Sequence, residues 1–266
     1  MLRPPPLSCD CHIHVFGPFE RYPLDPERKY TPAEALLEDY RRVAATLGTG
    51  RVVLVQPSVY GTDNACQRDA LLVLGRRARG VAVIDDATSD AQLRQLERDG
   101  FRGTRLNFMR AGGLESLERI AGRVHDLGWH VQLYLPGSMI PEIADRLLQL
   151  PTNFVIDHLG CVDTRRGIEQ PAFQALLGLF DSGRCWVKLS APYRIDSAPY
   201  RNAAPFAREL VRRNPERLVW GTDWPHPDVA VVPEDAGLLY ALFDWVPEER
   251  TRKRILVDNP AQLYRF

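Results

Sequence analysis

The chain has 266 residues, of which 45% are hydrophobic and 26% charged, so it is long enough to bury the core of a globular domain. Its 34 basic and 34 acidic side chains give a formal net charge of zero, which excludes a global field that would recruit nucleic acid or an anionic membrane. No run approaches the ~18 apolar residues of a membrane span, the N-terminus lacks the apolar run of a signal peptide, and the five cysteines include no C-x-x-C, so we expect a cytoplasmic protein with reduced thiols.

The first predicted strand covers residues 9–16, with the sequence CDCHIHVF. A Cys/His metal knuckle is the alternative, but C-x-C spacing is too tight for one and no second cluster follows. In a strand, alternation places Asp10, His12 and His14 on one face, with the two cysteines on the opposite face. Two imidazoles on one face of an apolar strand indicate a functional site.

Further strands and helices alternate along the rest of the chain. Short apolar, β-branched runs lie at residues 51–56, 80–85, 103–108, 130–135, 153–158, 185–190 and 217–223. Amphipathic helices are predicted at residues 32–47, 91–98, 114–127, 141–150, 171–180 and 203–213. In the first of them, Thr31 is the expected N-cap and Gly48 the expected stop.

This alternation predicts an α/β fold with a parallel sheet, and eight strand–helix repeats predict a (β/α)8 TIM barrel that occupies residues 1–266 as a single domain. An open doubly wound sheet is the alternative. It fits less well, because neither G-x-G-x-x-G nor G-x-x-x-x-G-K-[ST] follows any predicted strand.

Polar side chains collect where the predicted strands end, which is where a β/α barrel places its active site. In chain order they are His12 and His14, Ser58, Arg105 and Arg110, Tyr134, His158, Arg194, and Asp223. We therefore expect histidines, arginines and one aspartate to share one rim of the barrel.

The pattern of His-x-His after the first strand, His after the sixth and Asp after the eighth resembles the amidohydrolase superfamily. The resemblance spans nearly the whole chain and ends in residues 258–264 (DNPAQLY), which are similar to that superfamily's closing helix. Residues 10–17 (DCHIHVFG), 26–32 (PERKYTP) and 220–227 (WGTDWPHP) are similar to its 2-pyrone-4,6-dicarboxylate lactonase branch. The resemblance implies hydrolysis of a small anionic lactone without metal.

A binuclear metal centre is not expected. In this superfamily it uses a carboxylated lysine or a glutamate on the fourth strand and usually a histidine on the fifth, where this chain has Arg105 and Tyr134. His130 begins the fifth strand at its other end. A single zinc or manganese ion held by His12, His14, His158 and Asp223 remains chemically open. We favour no metal and no other cofactor.

Under the lactonase interpretation, Asp223 activates water as a general base for attack on the ring ester carbonyl. The histidines His12, His14 and His158 stabilise the oxyanion that develops.

The remaining residues would bind substrate. Arg105 and Arg194 clamp its carboxylates, since arginine pairs with carboxylate through two parallel hydrogen bonds. The resemblance adds Tyr30, Ser58 and Tyr134. It also assigns a second arginine after the fourth strand, for which Arg110 is the nearest match, about one position short of the family register. For Arg105, pairing with Asp157 or Asp85 inside the barrel is the alternative.

Three classes of function remain open from the sequence. The first is a lactonase, within which a sugar-acid lactone hydrolase or isomerase is not excluded. The second is a mononuclear metal-dependent decarboxylase or hydratase of the same superfamily, and the third is a non-catalytic binding protein. The expected partner is a small anionic lactone, with no nucleic acid or membrane, and the oligomeric state is not specified.

Overall fold

The computed structural model describes residues 3–109 and 114–266, and within them eight parallel strands follow one another in chain order. They are β1 (Cys9–Ile13), β2 (Arg51–Val55), β3 (Ala78–Ala82), β4 (Phe101–Asn107), β5 (His130–Tyr134), β6 (Phe154–Ile156), β7 (Cys185–Ser190) and β8 (Leu218–Gly221). The circle closes just beyond β8, where Ile13 bridges to Trp224 and the His14 amide donates to the Trp224 carbonyl at 2.7 Å. The predicted (β/α)8 barrel is confirmed.

The described α-helices lie between and after these strands. They are α1 (Leu37–Leu47), α2 (Ala65–Leu74), α3 (Asp90–Arg98), α4 (Leu117–His125), α5 (Ile140–Gln149), α6 (Pro171–Asp181), α7 (Ala204–Arg213), α8 (Asp235–Trp245), α9 (Glu249–Lys253) and α10 (Asn259–Tyr264). Helices α2, α8 and α9 were not predicted. In α8 apolar residues are buried on several sides, which removes the single apolar stripe that marks an amphipathic helix. No helix in the described ranges is long and apolar enough to cross a membrane.

Helix α1 begins later than predicted, and the assignment of Thr31 as its N-cap is wrong. Ala35 pairs with Phe16 through two backbone hydrogen bonds of 2.9 Å, which keep the preceding chain extended. At its other end the helix stops as predicted. Gly48 has φ 79°, the left-handed conformation that glycine adopts without a Cβ penalty, and its amide donates to the Ala44 carbonyl at 2.8 Å.

Strand β1 departs from strict alternation, so the predicted division of its faces is wrong. Its pairing with β2 shifts register between Asp10 and Ile13. Cys9 and Cys11 pack with interior valines of neighbouring strands and with Tyr264, and His12 also faces the interior. A bulge of this kind turns two consecutive side chains to the same side. The cysteines thus lie beneath the histidines.

Asp10 faces outward as a consequence of the bulge. Its carboxylate accepts hydrogen bonds from the Thr222 amide at 2.9 Å and the Thr222 hydroxyl at 2.7 Å, and it lies 3.4 Å from the Tyr40 hydroxyl of α1. Burial raises the pKa of Asp10 to about 7, although the Thr222 hydrogen bonds act in the opposite direction. Asp10 therefore joins β1 to the segment after β8.

Candidate active site

Asp223 lies at the centre of the polar rim, one residue beyond Thr222, with φ 68°. Its Oδ1 atom lies 3.4 Å from Nε2 of His12 and 3.4 Å from Nε2 of His14. Nε2 of His158 is slightly farther, at 3.9 Å. The structure thus brings together the aspartate and the three histidines that the sequence assigned to one site.

The other carboxylate oxygen of Asp223 is held by two residues from the loop after β7. The Tyr193 hydroxyl donates to Oδ2 at 2.7 Å, and Arg194 donates to it from Nε at 3.1 Å and from Nη2 at 2.9 Å. Burial alone would raise the pKa of Asp223, but Arg194 and then the neighbouring histidines hold it well below its usual range. Asp223 is therefore a carboxylate at neutral pH, with Oδ1 directed at the imidazoles.

Tyr193 was missed in the sequence. Its hydroxyl also lies 3.2 Å from Nδ1 of His226, whose Nε2 lies 3.0 Å from an oxygen of Asp235. The chain contains nine tyrosines, and nothing in the loop sequence separates this one from the others. It contacts Asp223 only because the loops after β7 and β8 are neighbours.

The three histidines have different partners at their second ring nitrogen. Nδ1 of His14 lies 2.7 Å from the Val55 carbonyl oxygen, and Nδ1 of His158 lies 2.8 Å from the Ser190 hydroxyl. Burial lowers the pKa of His14, and it lowers the pKa of His158 to about 4. Both imidazoles are therefore neutral near pH 7.

Lys188 forms the floor of the site and was not assigned a role in the sequence analysis. It lies on β7 with its side chain fully buried, and its Nζ donates to the Cys11 carbonyl at 3.0 Å and to Oε1 of Gln132 at 2.8 Å. Nζ also lies 3.3 Å from Nδ1 of His12 and 3.5 Å from Asp157 Oδ1. The available signal was a lysine inside an otherwise apolar strand, CWVKLS.

Arg105 pairs with Asp157, which is one of the two alternatives that the sequence left open. Nε of Arg105 lies 3.3 Å from Asp157 Oδ2, and its guanidinium carbon lies 4.9 Å from the ring centre of Tyr134. The guanidinium carbon of Arg194 lies 5.8 Å from the same ring. Tyr134 meets His158 edge to face, with ring centres 5.1 Å apart. Both predicted arginines thus lie beside the histidines.

Tyr30, Ser58 and Arg110 are the remaining predicted binding residues. Burial raises the pKa of Tyr30 to about 12, and Arg105, Asp223 and Ser58 are close enough to influence it. Tyr30 and Ser58 therefore lie at the same rim. Arg110 falls outside the described residues.

Part of the donor set converges closely enough to hold a metal ion. One ligand atom each from His12, His158 and Asp223 lie within 4.8 Å of one another, and all three residues are buried. His12 Nε2 is buried and makes no hydrogen bond in the described part of the chain. Two imidazoles and a carboxylate suit a single zinc or manganese ion. His14, predicted as a fourth ligand, is not part of this trio.

Known proteins resemble this chain over nearly its whole length. The sequence profile of the family described as Amidohydrolase matches residues 9–266. A 2-pyrone-4,6-dicarboxylate hydrolase of Comamonas testosteroni is 38% identical, over 98% of this chain and 90% of its own length. A 4-sulfomuconolactone hydrolase of Hydrogenophaga intermedia is also 38% identical, over 98% and 89%. A D-galactarolactone isomerase of Agrobacterium fabrum is 33% identical, over 97% and 91%.

A solved structure has the same fold over the full length. It is titled a probable 2-pyrone-4,6-dicarboxylic acid hydrolase of Acinetobacter baumannii with citric acid bound. It is 28% identical to this chain, matches 98% of this chain and 100% of its own, and superposes with a TM-score of 0.87.

Proposed function

Because the chain belongs to the amidohydrolase family, we propose that it opens the ring ester of a small anionic lactone by hydrolysis. The relatives named for lactone hydrolysis or lactone isomerisation align with nearly all of this chain. The observation that carries the proposal is the division of the Asp223 carboxylate, with Oδ2 held by Tyr193 and Arg194 and Oδ1 directed at the three imidazoles. We further propose that the whole chain acts as one domain, in the cytoplasm.

In the proposed reaction Asp223 is the general base. Oδ1 accepts a proton from water while the water oxygen bonds to the lactone carbonyl carbon. The imidazoles of His12, His14 and His158 surround the attacking water and the lactone carbonyl oxygen, on which negative charge develops. The bond from that carbon to the ring oxygen then breaks, and the departing oxygen takes the proton from Asp223. The products are a carboxylate and a hydroxyl or enol group, with one proton released to solvent.

Substrate carboxylates would bind to the arginines. Arg105 is only 6% exposed and is preorganised by Asp157 and Tyr134. Arg194 already contacts Asp223, but a guanidinium has five N–H donors and can serve a second carboxylate. Tyr30, Ser58 and Tyr134 complete the proposed set. Arg110 is proposed as a further contact from its position in the sequence.

We propose that this hydrolysis needs no resident metal ion. Lys188 lies beside His12, Arg194 contacts Asp223, and Arg105 is close enough to lower the pKa of His158, so each positive charge opposes a divalent cation. In a loaded site, His12, His158 and Asp223 would hold the ion, which would polarise the carbonyl and acidify the attacking water.

A sugar-acid lactone isomerase is the second candidate. The relative named D-galactarolactone isomerase supports it, because it aligns over 97% of this chain. Isomerisation would use the same carbonyl-activating groups but would transfer the ester to another hydroxyl of the substrate instead of to water.

The test is a substrate panel with the metal content measured on the same sample. It contains 2-pyrone-4,6-dicarboxylate, a sulfonated muconolactone, galactarolactone and an uncharged lactone as the matched control. We expect turnover of at least one anionic lactone, little turnover of the uncharged one, and no loss of activity with a chelator. Absence of turnover throughout the panel would overturn the lactonase proposal. Stoichiometric metal whose removal abolishes turnover would overturn the metal-free part and favour the metal-dependent alternative.

A further inference from the structure

His12 and His14 both direct Nε2 at Asp223, but their Nδ1 atoms face partners of opposite hydrogen-bonding character. Nδ1 of His14 faces the Val55 carbonyl at 2.7 Å, and a carbonyl oxygen only accepts hydrogen bonds. Nδ1 of His14 must therefore carry a proton, which leaves its Nε2 with a lone pair in the neutral ring. Nδ1 of His12 instead faces Nζ of Lys188 at 3.3 Å.

The surroundings of Lys188 identify its Nζ as a donor. It contacts the Cys11 carbonyl at 3.0 Å and Oε1 of Gln132 at 2.8 Å. The orientation of Gln132 is fixed, because its Nε2 donates to Asp157 Oδ2 at 3.0 Å and so directs Oε1 at Lys188. Asp157 Oδ1 supplies a negative charge at 3.5 Å. An ammonium group has three protons and no lone pair, so Nδ1 of His12 can only accept from it.

We propose that Lys188 is a positioning residue that holds His12 with its proton on Nε2, and thereby makes His12 the donor to the lactone carbonyl oxygen. His14, with the opposite tautomer, accepts a hydrogen bond from the attacking water, which donates its other proton to Asp223 Oδ1. This assignment rests on the proposed lactonase function. The assignment gives His12 and His14 different roles, although the sequence alone predicts the same role for both.

The competing arrangement would place the His12 proton on Nδ1, directed at Asp157. The distance from Nδ1 to Asp157 Oδ1 is 3.5 Å, which is longer than the 3.3 Å from Nδ1 to Nζ of Lys188. With that tautomer neither His12 nor His14 would donate to Asp223 Oδ1, which lies 3.4 Å from Nε2 of each ring. The Lys188 arrangement instead directs an N–H at that oxygen, or at a substrate oxygen that replaces it.

The same tautomer opposes metal binding at His12. A ring nitrogen coordinates a metal through its lone pair, so an Nε2 that carries a proton is not a ligand. His12, His158 and Asp223 converge closely enough to hold an ion. Because Lys188 keeps a proton on Nε2 of His12, that nitrogen cannot coordinate the ion. Removal of Lys188 should therefore raise the zinc affinity of the site.

The direct test uses the unmodified protein labelled with 15N-histidine. Protonated and unprotonated ring nitrogens have clearly different 15N shifts, and the signals are assigned by loss in His12→Gln and His14→Gln. We expect His12 with its proton on Nε2 and His14 with its proton on Nδ1. A His12 signal from the Nδ1–H tautomer would overturn the proposal. This readout needs no substrate, so it stays separate from a failure of the lactonase proposal, which the substrate panel reveals.

The second test compares Lys188→Met with Lys253→Met, a surface control. We expect Lys188→Met to lower kcat by about a hundredfold with a smaller change in KM, as for loss of one oxyanion donor, and to bind added zinc more tightly in titration calorimetry. Lys188→Arg, which keeps a donor, should restore part of kcat. The double variant Asp157→Asn/Lys188→Met preserves the charge balance if the single variant does not fold. Unchanged kcat and unchanged zinc affinity in a folded variant would contradict the assignment.

Discussion

Histidines are buried at both ends of the barrel interior, but their surroundings differ. At the carboxyl end of the strands, His12 lies among charged groups, with Lys188 and Asp157 behind it and Asp223 in front. At the opposite end, His130 packs edge to face on Tyr264, with ring centres 5.3 Å apart, and its buried Nε2 has no hydrogen-bond partner among the described residues. Convergence of charged partners, and not burial, distinguishes the candidate site.

Gly103 allows His130 to pack inside the barrel because it has no side chain. A Cβ there would lie 2.5 Å from Nε2 of His130, so the glycine makes room for the ring. Burial, followed by the charge of Lys188, lowers the pKa of His130 to about 3. At the amino end of the strands, His130 is therefore a neutral imidazole that packs against its neighbours. At the carboxyl end, the imidazoles point at a carboxylate.

The largest effect should come from Asp223→Asn, at the carboxyl end of the strands. The amide cannot accept the water proton, so we expect kcat to fall by about a thousandfold while a substrate analogue still binds. The measurement is kcat together with analogue binding by calorimetry. Asp258→Asn, a surface carboxylate paired with Lys253, is the matched control. Retention of full kcat in Asp223→Asn would remove the general-base assignment.

The two arginines should separate binding from chemistry. Arg105→Met removes a charge-assisted contact and should raise KM by about tenfold to a hundredfold, with little change in kcat. Arg194→Met should also lower kcat, because Asp223 Oδ2 loses two hydrogen bonds of 2.9 and 3.1 Å. The measurement is a full kinetic comparison of both variants with the wild type. Equal effects of the two variants on kcat would contradict this division.

The strand ends could be predicted because hydrophobic runs and the barrel rule identify them without tertiary information. That rule places Asp223, His12, His14 and His158 on one rim, and the family resemblance supplies their expected roles. The bulge in β1 could not be predicted, since it arises from the pairing of β1 with β2.

Contacts between residues far apart in the sequence could not be predicted either. Lys188 is separated from His12 by 176 residues, and Tyr193 is separated from Asp223 by 30. No local pattern links members of such pairs, because the barrel alone brings them together. Arg105 shows the same limit, since its pairing with Asp157 could be named in advance but not chosen over Asp85.

The pH profile should show a smaller effect than either arginine variant. Arg194 and the histidines hold the pKa of Asp223 well below its usual range despite burial, and His158 has a pKa of about 4. Asp223 stays ionised and His158 stays neutral from neutral pH down to mildly acidic pH, so kcat/KM should be nearly constant over that interval. It should fall once His158 is protonated, because the imidazolium would pair with the Asp223 carboxylate 3.9 Å away and weaken it as a base. An acid limb centred near the ordinary histidine pKa of ~6.5 would contradict this expectation.

The smallest effect on activity should come from His130→Leu, at the amino end of the strands. The substitution removes a buried polar atom and no group of the site, so kcat/KM should equal that of the wild type. Stability should nevertheless change its dependence on pH. The folded pKa of His130 is about 3 and the unfolded value is ~6.5, so the unfolded chain binds this proton first as pH falls, and the wild type loses stability over that interval. Without His130 the free energy of unfolding should fall less steeply, by about 1.4 kcal/mol per pH unit. Urea unfolding at several pH values measures the two slopes, and identical slopes would show that His130 is accessible to protons in the folded barrel.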